Sequence, residues 1–83
     1  MESVENPDQT LADMPIGAVS QIQKLSGDME LNRRLREIGF YEGAIIKVQG
    51  RMPFHGPMVI ELDSCSLALR LGEAQQLIVR RCP

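Results

Sequence analysis

The sequence predicts a mainly β chain with short helices, a closed small barrel of about five strands plus one helix at residues 28–38. Three observations predict it. Apolar and polar residues alternate with period two in "AIIKVQGR" and "MVIELD". One segment, "GDMELNRRLREIG", carries a clear helical period instead. Between them, glycines and prolines cut the chain into short runs. At 83 residues the chain makes one domain, at a size where about 60% of the unfolded surface can be buried and little room is left for an enclosed active site.

Residues 1–9, "MESVENPDQ", are polar with a proline and read as a flexible acidic tail, leaving 10–82 as the single domain. "TLAD" then fits a one-turn helix with Thr10 as N-cap and Asp13 three residues later, ended by Pro15 and Gly17. In "AVSQIQKL", Ala18 to Leu25, the residues Val19, Ile22 and Leu25 do not alternate, so a strand there needs a bulge or an edge position. The helix follows, with Asp28 as N-cap and Leu31, Leu35 and Ile38 on one face.

At its end, Gly39 can take a left-handed conformation and Phe40 can fold back on Leu35, as in a Schellman motif. Tyr41, Glu42 and Gly43 form a tight turn, so both Gly39 and Gly43 are expected at positive φ. Ile46 and Val48 share one face of the next strand and Lys47 and Gln49 the other. "MPFHGP", Met52 to Pro57, is the loop of an antiparallel hairpin whose second strand begins at Met58. "SLALR" turns Leu67 and Leu69 inward, "LGEAQQ" is a helical turn, and "LIVRR" is the last strand.

Charge is uneven. Four acids and no base fall in the first thirteen residues, whereas nine bases face seven acids from Met14 onward. That small balance argues against nucleic-acid binding driven by a basic face. Cys65 and Cys82 are seventeen residues apart with no metal-ligand spacing, no basic-then-apolar leader is present, and no apolar run approaches the ~20 residues that cross a bilayer. These features place the chain in the cytoplasm with free thiols.

Any Cys–His or Ser–His pair must use His55, the lone histidine, with Cys65, Cys82 or a serine, and no local signature supports one. Cys65, His55, Asp63, Glu61 and Cys82 also lack the spacing of a zinc or iron site. The expectation is no catalytic residue, no metal ligand and no cofactor. Two surfaces are left. "RRLR" gives Arg33, Arg34 and Arg36, either a solvated face paired with Glu30 and Glu37 or an arginine surface for an acidic partner, lipid headgroups or a phosphate. Met52 and Phe54 put large apolar groups where a hairpin tip should be exposed, a docking spot for a protein, while Met58 belongs to the core.

"LADMPIGAV", "LNRRLREIGFYEGAIIKVQGRMPFHGPMVIEL" and "SLALRLGEAQQLIV" together resemble the FeoA family, small accessory proteins of bacterial ferrous iron transport. The resemblance implies an SH3-like barrel with added helices, residence in the cytoplasm, and action on FeoB, a membrane transporter with a cytosolic GTP-binding domain. The family loop commonly reads proline, Leu, Gly, Asp, proline; here it is Pro53, Phe54, His55, Gly56 and Pro57, without the acid. The module is also similar to the C-terminal domain of metal-dependent repressors related to the diphtheria toxin repressor, whose DNA-binding domain has no room in these residues.

The expected function is therefore a binding module supporting a FeoB-type transporter, meeting the membrane only through it. The alternative is a metal-binding or metal-sensing protein. The candidate contacts are Arg33, Arg36, Arg51, Met52, Phe54 and His55. Arg51, at a strand end beside the loop, is the arginine best placed to act in trans on a GTPase, but a binding role without large stimulation of hydrolysis is expected.

Overall fold

In a computed structural model that describes residues 9–82, the period-two segments are strands and the helical-period segment is a ten-residue helix. The elements are β1 (Gln9–Thr10), a 3₁₀ turn (Leu11–Asp13), β2 (Val19–Leu25), α1 (Met29–Ile38), β3 (Ile45–Arg51), β4 (Met58–Leu62), β5 (Cys65–Leu69), α2 (Leu71–Ala74) and β6 (Leu77–Arg81). The strands form one antiparallel sheet in the order β1-β6-β2-β3-β4-β5.

Two sequence expectations change. The sheet has six strands, because Gln9, assigned to the tail, pairs with Val79; the rest of the tail lies outside the described residues. The barrel is also not closed, since no ladder among the described residues joins β1 to β5. β1 is only two residues long, and beyond Leu69 the chain turns into α2 at Arg70. Too little strand faces the gap to close it.

β2 is central, flanked by β3 and β6, and not an edge. Its broken alternation is absorbed by a bulge at Gln23: the ladder steps from Ile22 opposite Val79 to Lys24 opposite Ile78. The extra residue returns Leu25 to the inner face, so that Ile22 and Leu25 are both buried. Inner-face positions Ile46, Val48, Met58, Ile60, Leu62, Leu69, Leu77 and Val79 complete an aliphatic core, with Leu11 of the 3₁₀ turn buried against it. Thr10 sits at the N-cap of that turn, yet its hydroxyl donates to the Asp13 carboxylate at 3.1 Å instead of accepting from a backbone N–H.

α1 starts where expected, with the Asp28 carboxylate accepting from the Leu31 N–H at 2.8 Å. It ends in a Schellman motif: the Phe40 N–H donates to the Leu35 carbonyl at 2.8 Å and the Gly39 N–H to the Arg36 carbonyl at 3.2 Å. Phe40 and Leu35 are both buried, and Gly39 has φ +129°. Gly43 follows at φ +94°, in a turn closed by the Ala44 N–H on the Tyr41 carbonyl at 3.0 Å. The helix stop and the turn fix how α1 meets β3, and thereby where the β3–β4 hairpin points.

Candidate functional site

The hairpin between β3 and β4 closes through the Met52 N–H on the Pro57 carbonyl at 3.0 Å and the Gly56 N–H on the Pro53 carbonyl at 3.1 Å. Its tip is the four-residue turn Pro53 to Gly56, with Phe54 and His55 at the corners, both at φ +59°. Two consecutive left-handed corners define a type I′ turn, normally built from Asn-Gly because a β-carbon there costs ~1–2 kcal/mol. Gly56 is required for close approach, since a Cβ on it would lie 2.9 Å from the Met52 Cβ. The strained turn holds Phe54 out in solvent, 95% exposed, with Met52 half exposed beneath it. Met58 is fully buried, as the sequence predicts.

Arg51 does a different job from the one its position suggests. Its guanidinium donates to the backbone carbonyls of Ala12 and Met14, the latter at 2.9 Å, and so ties the stem of the hairpin to the 3₁₀ turn. The Gly17 N–H adds a bond to the Val48 carbonyl at 2.7 Å on the same stem. Ile16, between them in sequence, is 61% exposed at the corner of a turn closed by Ala18 on Pro15. Sequence reading did not select it; an apolar residue between a proline and a glycine was the available signal.

The helix arginines are held by neighbouring acids. Arg33 bonds Glu30 at 2.5 Å and Glu37 at 2.8 Å, and Arg36 grips both carboxylate oxygens of Glu42 at 3.2 and 2.8 Å. Arg34 reaches Glu73 of α2 at 3.8 Å. The Arg33 and Arg36 pairs are solvent-exposed and Glu73 is half-buried; exposed pairs of this kind orient the side chains and contribute little stability. Hydrogen bonding to Glu30 raises the Arg33 pKa, and bonding to Glu42 raises that of Arg36. The Arg36 guanidinium, with a backbone hydrogen bond second, lowers the Glu42 carboxyl to about 2.

A carboxylate depressed in the folded state stabilises above its unfolded pKa, and that stability is lost as pH falls through the folded value. The Arg36–Glu42 contribution is therefore expected to be complete above the ordinary carboxylate range and to vanish on acidification toward about 2. A ¹³C-detected titration of Glu42 checks it: the midpoint should move up toward the ordinary range in Arg36→Ala, and an unchanged midpoint would contradict the pairing.

His55 stands at the exposed tip and Cys65 at the exposed start of β5, while Cys82 is half-buried after β6. Among the described residues no three His, Cys, Asp or Glu side chains converge as a metal site. No helix among them is long and apolar enough to cross a membrane. The structure thus brings Met52, Phe54 and His55 together at the tip and leaves Arg33 and Arg36 on a separate helix surface.

The family model described as the FeoA domain matches residues 9–81. The chain belongs to this family. A crystal structure of an iron uptake regulatory protein, FeoA, is 25% identical, covers 93% of this chain and 100% of its own, and superposes with a TM-score of 0.83. Iron(II) transport protein A from Clostridium thermocellum is 26% identical over 88% of this chain and 45% of that one, with a TM-score of 0.82. A manganese-dependent transcriptional repressor shares the fold at 22% identity and a TM-score of 0.83; the match covers 95% of this chain and 44% of the repressor. No curated protein matches the chain. The FeoA assignment and the SH3-like β architecture agree with the sequence reading.

Proposed function

We propose that this FeoA-family chain is a non-enzymatic accessory of ferrous iron uptake in the cytoplasm, and that it docks on a FeoB-type membrane transporter through the β3–β4 tip. The observation that carries the docking site is Phe54, 95% exposed on a left-handed corner that disfavours an aromatic residue. A large apolar side chain displayed on a strained turn is costly unless a partner covers it. Family membership and the likeness to a protein named for iron(II) transport support the pathway. Met52 widens the contact and His55 adds a polar group, while Arg33 and Arg36 form a separate charged surface on α1.

Phe54→Ala tests this reading by titration against the transporter's GTP-binding domain. Binding is expected to weaken by roughly 1–3 kcal/mol, as for an aromatic anchor, with the melting curve retained. Equal affinity for the variant would remove the tip from the interface. The second reading, metal sensing, is favoured by the likeness to the manganese-dependent repressor; tight stoichiometric binding of ferrous iron in equilibrium dialysis would support it.

A further inference from the structure

β5 is an open edge of the sheet, since its strand neighbour is β4 and no other ladder among the described residues reaches it. The β4–β5 hairpin turns on Asp63 and Ser64, at φ +51° and +68°, so Leu62 and Cys65 close it as a hydrogen-bonded pair. Bonded and unbonded pairs alternate along an antiparallel ladder. Cys65, Leu67 and Leu69 therefore turn their backbone bonds toward β4, while Ser66 and Ala68 turn theirs outward. The edge offers an N–H and a carbonyl from each.

Edge strands are ordinarily blunted by lysines, prolines, bulges or shortness. β5 has none of these: it is five residues long, reads "CSLAL", and pairs with β4 without the register shifts of β2–β6 and β3–β4. Ser66 and Ala68 are exposed, and the Ser66 hydroxyl is drawn back across β4 onto Gln49 Oε1 at 2.6 Å, away from its own outward backbone. Leu67, on the inner face, packs against the core yet is only partly buried, because the sheet ends there. The two ends of β5 carry opposite charges. Exposed Asp63 precedes the strand and exposed Arg70 follows it, and among the described residues neither makes an ion pair.

We propose that the occupant of this edge is a second copy of the chain, β5 against β5, antiparallel about a two-fold axis at Leu67. Ser66 of each copy pairs with Ala68 of the other, so that every outward N–H and carbonyl of the strand gains a partner. Leu67 meets Leu67 of the second copy at an unbonded position, where facing Cα atoms lie ~4.5 Å apart and side chains are closest. Arg70 comes to the Asp63–Ser64 turn of the second copy at both ends, whereas a parallel copy would set like charges together. The edge is thus self-complementary, as a two-fold contact requires. A five-residue edge is small beside the ~1,200 Å² of a stable interface, so the dimer forms at high protein concentration and separates on dilution. The β3–β4 tips emerge at opposite ends of the joined sheet, and both stay free.

Amide hydrogen exchange of the wild-type chain, followed as protein concentration is raised, tests this. Exchange is expected to slow at Ser66 and Ala68 and to stay unchanged at Leu67, whose N–H is already bonded to β4. Ala68→Pro removes one outward donor from each copy and leaves the β4 ladder intact, as an edge strand allows. Its dimerisation constant should fall roughly thirtyfold, for two lost hydrogen bonds. Leu67→Cys, with Cys65→Ser and Cys82→Ser, should cross-link on mild oxidation, since ~4.5 Å lies within the Cα separation that a disulfide accepts. Ser66→Cys in the same background should not. Concentration-independent exchange at Ser66 and Ala68 would overturn the proposal, whether fast, as on an empty edge, or slow, as under a segment of the same chain. So would concentration-dependent changes centred on Phe54, an equal cross-link from Ser66→Cys, or edge protection that appears only when the transporter's GTP-binding domain is added.

Discussion

Gly39→Val is expected to cost the domain about 2–4 kcal/mol, from two separate terms, a left-handed backbone and an overfilled core. Gly39 sits at φ +129°, where a β-branched residue is strained. A Cβ there would also lie 2.7 Å from the Leu62 Cδ2, in the core where α1 meets β4. For a domain of this size each kcal/mol lowers the melting temperature by ~4–8 °C. Gly43→Val separates the two terms, since Gly43 has φ +94° but nothing within 4 Å of its Cβ position. It should lose only the conformational part. A Gly39→Val domain that melts with the wild type would contradict the helix stop on which the hairpin's direction depends.

Arg51→Ala is expected to destabilise by about 2–3 kcal/mol, because a hydrogen bond from a charged group contributes ~1.5–3 kcal/mol and the two here share one donor nitrogen of an exposed side chain. Its partners, the Ala12 and Met14 carbonyls, belong to the segment that holds Leu11 in the core. Denaturant unfolding reads the loss directly, and Arg51→Lys should recover only part of it, since both bonds come from the terminal Nη2 and the lysine stem is shorter. The same anchoring keeps Arg51 from reaching into a nucleotide pocket. Single-turnover GTP hydrolysis by the transporter's isolated domain should accordingly change by less than about tenfold on adding this protein, far below the 10³–10⁵ of an arginine supplied in trans. Wild-type stability in Arg51→Ala would show that the two carbonyl bonds contribute nothing.

Local chemistry was readable from sequence wherever a residue type has one physical reason to occupy its position. Asp28 caps α1, Gly39 and Gly43 take positive φ, and Ile46 and Val48 share the buried face of β3. Long-range pairing was not readable. β1 is two residues long and is a strand only because β6 lies beside it, and the bulge at Gln23 shows its purpose only against Val79 and Ile78. For the site, the exposed tip followed from two prolines bracketing Phe54, but its left-handed corners run against the preference of Phe and His and left no trace in composition. The anchoring of Arg51 depends on a backbone thirty-seven and thirty-nine residues earlier in the chain. That contact carries no local signature at all.

The docking claim is tested most directly by capture of detergent-solubilised FeoB-type transporter on immobilised protein, with and without bound guanine nucleotide. Wild type, Phe54→Ala and the Arg33→Ala, Arg36→Ala double variant should be compared at low and high salt. The proposed docking predicts capture by the wild type, loss with Phe54→Ala at both salt concentrations, and only a salt-sensitive reduction for the arginine variant. Undiminished capture by folded Phe54→Ala would contradict the assignment of the hairpin tip, and capture abolished by the arginine variant alone would place the interface on α1.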